Sequence, residues 1–548
     1  MKKNKSMIMK TKSKYIWLFA TLLAVSACSS DDDSLTTSIE APKPELSNGE
    51  ADFSKYIAVG ASFSGGYTDG ALFIAGQENS FPNMLSQKFA LVGGGTFSQP
   101  LMNDNIGGLV AGTTVLANPR FYFDGSGPAI LPATPTTQAT NVLTGPFNNY
   151  GIPGMKSFHL GVAGYGSLNP YFGRMASSAG ATVLGDAVAQ SPTFFSLSEI
   201  GGNDVLGYAL SGGTGVDQTG NFNPATYGAN DITDPNVFAT SFNAAVSALI
   251  GANNAKGVVG NVPYITSLAH FTTVPHNPLD PSNPDFGPQI PTLNNVFGAL
   301  NPIFQAIDPS RAIVFSETEA SPVVIRDETL ADISVQIATA LNNSPTFPAF
   351  LAQFGLDGSN PVVVQLVANL LGQTYGQTRQ ATENDLFVLP SSSIIGQVNQ
   401  TYAQFLAGQG LPAQVAGQFA IEGVTLPLED KWVLIPSEQA SIKTATDAYN
   451  ATIESAATDN GLALVDFKGI LEEASTSGIF TGDYILNTSL VTGGLISLDG
   501  VHLTARGYAV MANEIMKAID ATYGSNFEAS GNLLNVSNYG VTYSPMLQ

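Results

Sequence analysis

The sequence predicts an α/β sandwich built on a largely parallel sheet, and three observations carry that prediction. Short apolar runs bounded by turn residues, at Tyr56–Gly60, Thr193–Ile200, Gly257–Val262 and Leu462–Phe467, have the length and composition of buried strands. Two long segments have helical periodicity. Strands alternate with helical patterns along the chain, as parallel strands joined by crossovers require.

The helices are read from spacing. From Ser437 to Ala457, Ile442, Ala445, Tyr449, Ile453 and Ala456 recur on one helical face. From Thr504 to Tyr523, Tyr508, Met511, Ile515 and Ile519 do the same. Length allows one large domain with insertions or two to three ordinary domains, since the chain has 548 residues. Hydrophobic residues make up 44% and charged residues 12%, a balance that supports a sizeable core and argues against wholesale disorder. No internal repeat of solenoid or propeller period is present.

The strand-bearing parts fill about half of residues 51–525, the expected folded domain. Three long stretches, 71–147, 207–255 and 268–435, read as insertions. The first two are rich in Gly, Asn, Pro and Thr and have the composition of elaborated loops. The third has helical patches (Leu330, Ile333, Ile337 and Leu341) and an aliphatic run from Val362 to Leu371. A cap over a site and a plain structural subdomain both fit it. Residues 526–548 read as a C-terminal tail.

Residues 1–27 read as a secretory signal peptide: a Lys-rich start, an apolar run from Tyr15 to Val25, then small residues. The run is too short to span a bilayer as a stable helix. Val25-Ser26-Ala27-Cys28 resembles a bacterial lipobox, which implies lipidation at Cys28, the only cysteine in the chain. Ser29-Ser30-Asp31-Asp32-Asp33 resembles the acidic surface-export signal of Bacteroidota lipoproteins, although an acidic run also serves as a solvated spacer. Residues 28–50 then form an acidic tether, and the expected location is the outer membrane, exposed at the cell surface.

Formal net charge is −22, and six of the 21 basic residues lie ahead of Cys28, where no acidic residue stands. The remaining body is more acidic still and repels phosphate backbones, so no nucleic-acid partner is expected. One cysteine excludes an internal disulfide and a thiolate-rich metal site. The four histidines, His159, His270, His276 and His502, show no metal-ligand spacing, so neither metal nor cofactor is expected.

Four segments carry candidate chemistry. Tyr56-Ile-Ala-Val-Gly60-Ala61-Ser62 runs a buried strand straight into a tight turn, which places a hydroxyl at the strand's C-terminal edge. Open α/β sheets put their ligand crevice at that edge, and a glycine lets substrate approach closely. An ordinary strand-exit turn would look the same. Asp499-Gly500-Val501-His502 supplies a base and a carboxylate three residues apart, the partners a serine nucleophile needs; His502 as a helix cap is the bland alternative. Ile200-Gly201-Gly202-Asn203-Asp204 offers an amide that can donate to a developing oxyanion. Tyr150-Gly151-Ile152-Pro153-Gly154 offers a backbone N–H at Gly154. Either segment alone is also a plain turn.

Together and in this order, Gly60-Ala61-Ser62, Gly154, Gly201-Gly202-Asn203-Asp204 and Asp499-Gly500-Val501-His502 resemble the blocks of the SGNH/GDSL serine hydrolases. Softer matches agree. Ser64–Gly70 resembles the continuation of the first block, and Asn79–Leu85 the next helix start. Asn261-Val262-Pro263 resembles the ending of strand four, and Leu464-Val465-Asp466 strand five. The resemblance covers the core blocks and not the three insertions.

It implies a three-layer α/β/α sandwich on a mainly parallel five-stranded sheet. It further implies an esterase or lipase with Ser62, His502 and Asp499 as catalytic residues. The oxyanion hole would be formed by the Ser62 N–H, Gly154 N–H and Asn203 amide. The implied substrate is a carboxylic ester, lipid or short-chain; an acyl-glycan (O-acetyl) esterase and a non-catalytic binding lipoprotein on the same fold are the alternatives. Ala61 stands where the family has Asp, so the hydrogen bonding of that turn must differ. No Gly-x-Ser-x-Gly elbow is present, which counts against the α/β-hydrolase fold.

Overall fold

A computed structural model describes residues 42–548. The expected signal peptide, Cys28 and the first part of the expected tether lie outside the described residues. Five strands form one all-parallel sheet: β1 (Tyr56–Gly60), β2 (Asn149–Gly151), β3 (Phe194–Leu197), β4 (Lys256–Gly260) and β5 (Ala463–Val465), in the order β5-β4-β3-β1-β2. Val59 in β1 pairs with Tyr150 of β2 on one side and Leu197 of β3 on the other. The two candidate segments that follow β2 and β3 therefore leave the sheet on either side of the one that carries Ser62.

The strands differ from the apolar runs at their ends, for local reasons. The run 193–200 stops at Leu197 because Glu199 and Gly201 take positive φ, 49° and 108°, and turn the chain out of the sheet. The run 462–467 stops at Val465 because the Asp466 carboxylate caps helix α7 below, accepting from Gly469 N–H at 3.0 Å. β2 has no apolar run of its own. Its three residues are held by register with β1, and the sequence pattern reads them as part of a turn.

Helices cover both faces, giving three layers. The turn at Ser62 opens α1 (Ser62–Gly65), followed by α2 (Phe81–Phe89), α3 (Val183–Ala189), α4 (Asn203–Leu210), α5 (Pro235–Asn253), α6 (Pro436–Asn460), α7 (Phe467–Thr476) and α8 (Ala505–Tyr523) among the helices of the core. α2 packs on α8, while α5 packs on α3 and α6. The two helices expected from spacing are α6 and α8, and the apolar residues named for each are buried. Each such side chain contributes about 1.5–3 kcal/mol by leaving water.

Residues 207–255 are not one elaborated loop. They contain α5, a 19-residue helix that buries Phe238, Phe242, Val246 and Leu249 and crosses from β3 to β4. Its Ala, Ser and Asn content dilutes the apolar stripe, which hides the period in sequence. Residues 268–435 form a cluster with a core of their own, around Phe297, Phe304, Ile325, Ile337, Leu351 and Tyr375. Of the patch at 330–341, Ile337 and Leu341 lie in the helix Ser334–Asn342 while Leu330 and Ile333 precede it, and the run 362–371 lies in the helix Pro361–Tyr375, which packs against it.

Residues 71–147 form two short antiparallel hairpins, Leu109–Ala111 with Thr114–Ala117 and Phe121–Phe123 with Pro128–Ile130. Between them Arg120, fully buried, donates to five carbonyls: Asn105 (2.8 Å), Phe121 (3.2 Å), Tyr543 (3.3 Å), Ser544 (2.7 Å) and Leu547 (2.8 Å). The C-terminal residues 526–548 are thereby packed rather than trailing; Phe527 is itself buried in the core. Among the described residues no helix is long and apolar enough to cross a membrane.

Candidate active site

β1 delivers Ser62 to the C-terminal edge of the sheet, one residue beyond Ala61, at the first position of α1. Ser62 is buried, with 6% of its surface exposed. His502 Nε2 lies 2.9 Å from Ser62 Oγ, and His502 Nδ1 lies 2.9 Å from Asp499 Oδ2. Residues 440 apart in sequence are thus in proton-transfer reach.

The Asp499 carboxylate has four donors. Oδ1 accepts from Val501 N and His502 N, both at 2.8 Å, and Oδ2 accepts from Gly70 N at 2.8 Å besides the ring. Burial on its own raises a carboxylate, but the His502 ring and these N–H groups outweigh it and hold Asp499 well below the usual range. An ionised carboxylate only accepts, so Nδ1 carries the ring proton and Nε2 presents a lone pair to the serine. Phe63 and Tyr67 flank the imidazole, with ring centroids 5.2 and 4.6 Å away.

A second carboxylate fixes the turn that carries this pair. Asp69 Oδ1 accepts from Leu498 N at 3.0 Å, and Asp69 N donates to Ser497 Oγ at 3.1 Å. Asp69 is 1% exposed, and burial pushes it up to about 7. Asp69 and Gly70 stand in the Ser64–Gly70 match, yet nothing in their sequence says that they hold Asp499. Glu199 was likewise not marked: its Oε1 accepts from Ala61 N and Ser64 N, both at 2.7 Å. The available signal was a lone acid at the exit of an apolar strand in a chain poor in charge.

The oxyanion candidates lie on neighbouring loops. Among the described residues no protein acceptor is found for the N–H of Ser62 or of Gly154. Gly154 is exposed with φ 77°, a conformation that glycine takes without strain. Asn203 Nδ2 donates one N–H to Met155 O at 3.0 Å, leaving its second for a ligand, and so ties α4 to the Gly154 turn. Asp204 strengthens the tie, accepting from Ser157 N (2.9 Å) and Ser157 Oγ (2.7 Å). Its role is to seat this loop.

Ser62 and Asn203 line one apolar cavity of about 120 Å³. Its wall is formed by Leu206, Val262, Leu268, Leu471, Val510 and Met511 among others. Asn450 of α6 holds part of that wall, exchanging two hydrogen bonds with the Val262 backbone at 2.7 and 2.9 Å. Gly154 and residues 269–435 do not line it. Of the long insertion only Leu268, its first residue, lines the cavity.

The other histidines lie elsewhere. His159 accepts from Lys156 N at 3.1 Å and stacks on Tyr165; burial pushes it down to about 4. His270 packs its backbone on Gly500 O at 2.9 Å. The backbone carbonyl of His276 accepts from Val323 N. Among the described residues one carboxylate group has oxygens within 4.8 Å of one another: Glu328, Asp430 and Glu438. Burial and mutual repulsion push Asp430 up to about 7 and Glu438 to about 8, and none of the three lines the Ser62 cavity.

Residues 347–515 match the family model described as GDSL-like Lipase/Acylhydrolase. The matched stretch contains Asp499 and His502 but not Ser62, Gly154 or Asn203. No curated protein and no solved structure matches the chain.

Proposed function

We propose that this chain, an SGNH/GDSL hydrolase by its matched stretch and its sheet, cleaves carboxylic esters of apolar acyl chains through an acyl-enzyme on Ser62. The observation that carries the reading is the continuous pair of contacts from Ser62 Oγ to His502 Nε2 and from His502 Nδ1 to Asp499 Oδ2, each 2.9 Å. His502 takes the serine proton as Oγ attacks the carbonyl carbon. Asp499, ionised, stabilises the imidazolium that forms. The carbonyl oxygen gathers charge against the N–H groups of Ser62 and Gly154 and the free N–H of Asn203. His502 then protonates the departing alcohol, and water attacks the acyl-enzyme by the same route in reverse.

The apolar wall beside Ser62 favours an acyl chain over an acetyl group, since a two-carbon acyl group would leave most of that surface unfilled. The sequence of residues 1–50 supports a lipid anchor at Cys28 and a place at the outer surface of the outer membrane. Activity-based labelling tests the reading. A fluorophosphonate probe is expected to label the wild type and not Ser62→Ala; equal labelling of both would end the hydrolase reading and leave a binding protein.

A further inference from the structure

α1 begins at an uncapped position. Ala61 is its N-cap residue, and a methyl group accepts no hydrogen bond. Ser, Thr, Asp or Asn at an N-cap accepts from the N–H two or three residues on, which here means Phe63 or Ser64. In this chain the Ser64 N–H is taken from outside the helix, by Glu199 Oε1 at 2.7 Å, and the same oxygen takes the Ala61 N–H at 2.7 Å.

Two further features accompany this contact. Glu199 holds φ 49°, a left-handed conformation that costs a residue with a side chain about 1 kcal/mol or more. Gly60, whose φ is not left-handed, has no room for a side chain: a Cβ there would meet Glu199 Oε1 at 2.7 Å, Ser198 O at 2.8 Å and Ser64 Oγ at 2.1 Å. Glycine at position 60 is required by Ser64 Oγ, the Glu199 carboxylate and the Ser198 carbonyl together. The other carboxylate oxygen, Oε2, is buried without a partner.

We propose that Glu199 is the positioning residue of the nucleophile: it caps α1 from the exit of β3 and so sets the angle at which the Ser62 hydroxyl meets His502. The proposal rests on Ser62 being the nucleophile. Burial pushes the Glu199 carboxyl up to about 7, which records what holding it there costs. The side-chain hydroxyls facing it are those of Ser64 and Ser198, and the Tyr56 and Tyr508 phenols feel its charge.

The test is a rescue. Steady-state hydrolysis of a p-nitrophenyl ester and fluorophosphonate labelling rates are measured for the full chain as wild type, Glu199→Ala, Glu199→Gln, Glu199→Ala with Ala61→Asp, and Ser62→Ala, each with its melting temperature. Glu199→Ala is expected to lower kcat roughly ten- to a hundredfold with KM nearly unchanged, the effect of a misaimed hydroxyl. Adding Ala61→Asp restores a large part of kcat, because an aspartate at the N-cap accepts from Ser64 N–H itself. Wild-type kcat in Glu199→Ala, or a double variant no faster than Glu199→Ala at an unchanged melting temperature, overturns the proposal. If Glu199→Ala does not fold, Glu199→Met, measured the same way, decides: it fills the volume without an acceptor, so a clear loss of kcat supports the proposal and wild-type kcat overturns it, while Glu199→Gln, whose amide oxygen still accepts from Ala61 and Ser64 N–H, is expected to keep most of kcat. Labelling of Ser62→Ala at the wild-type rate is a different failure, that of the hydrolase reading.

Discussion

The backbone N–H of Gly70 donates at 2.8 Å to Asp499 Oδ2, the same oxygen that receives the His502 ring. The carboxylate is therefore aimed from two sides, by its own turn and by the loop that follows Ser62. Serine and histidine are coupled through a shared scaffold as well as through their own contact.

Asp499→Asn tests the charge. An amide placed at Oδ2 would confront two donors, Gly70 N–H and His502 Nδ1–H, so the ring loses its tautomer and its counter-charge. We expect kcat to fall by roughly three to four orders of magnitude, the scale of such a change in a serine triad, with the fold retained by circular dichroism.

Asn203→Ala removes one oxyanion donor and the tie to Met155. A loss of about a hundredfold or more in kcat, with KM little changed, is the expected result in steady-state kinetics. A drop confined to KM would place Asn203 in substrate binding instead.

Asp69 gives a pH-dependent stability of defined sign. Its folded carboxyl titrates at about 7 against an ordinary value of 3.8, because burial disfavours the charge. Its contribution is fully present below about 4 and is lost as pH rises through about 7. Asp69→Asn keeps the acceptor for Leu498 N–H and removes that loss. Its melting temperature should gain on the wild type from pH 4 to pH 8 in thermal scans.

The cavity beside Ser62 predicts chain-length preference. Leu206→Trp or Met511→Trp fills space that an acyl chain would occupy, and each methylene excluded is worth about 1 kcal/mol or more. The ratio of C8–C12 to C2 p-nitrophenyl ester hydrolysis should fall at least about tenfold. An unchanged ratio would place the acyl chain elsewhere.

Much of this architecture is legible in the chain because strands and helices are set by local patterns. β1, β3, β4 and β5 are apolar runs, and α6 and α8 repeat apolar residues on one face. What escapes is set by partners distant in sequence. β2 is a strand only because β1 lies beside it, and α5 is hidden by its small polar residues. The motif order brings Ser62, Asn203, Asp499 and His502 within one reading. The residues that hold them, Gly70, Asp69 and Glu199, act through single backbone hydrogen bonds, and no spacing rule encodes which amide a carboxylate will find.

Arg120 gives the far end of the chain a stake in the centre. Its guanidinium binds the carbonyls of Tyr543, Ser544 and Leu547, while the adjoining Phe121 N–H donates to Asp69 O at 2.7 Å, and Asp69 grips Leu498 next to Asp499. Clipping residues 543–548 would strip this cation of three of its five carbonyl acceptors. A carboxypeptidase nibbling at that end would loosen the imidazole's support without ever approaching the serine.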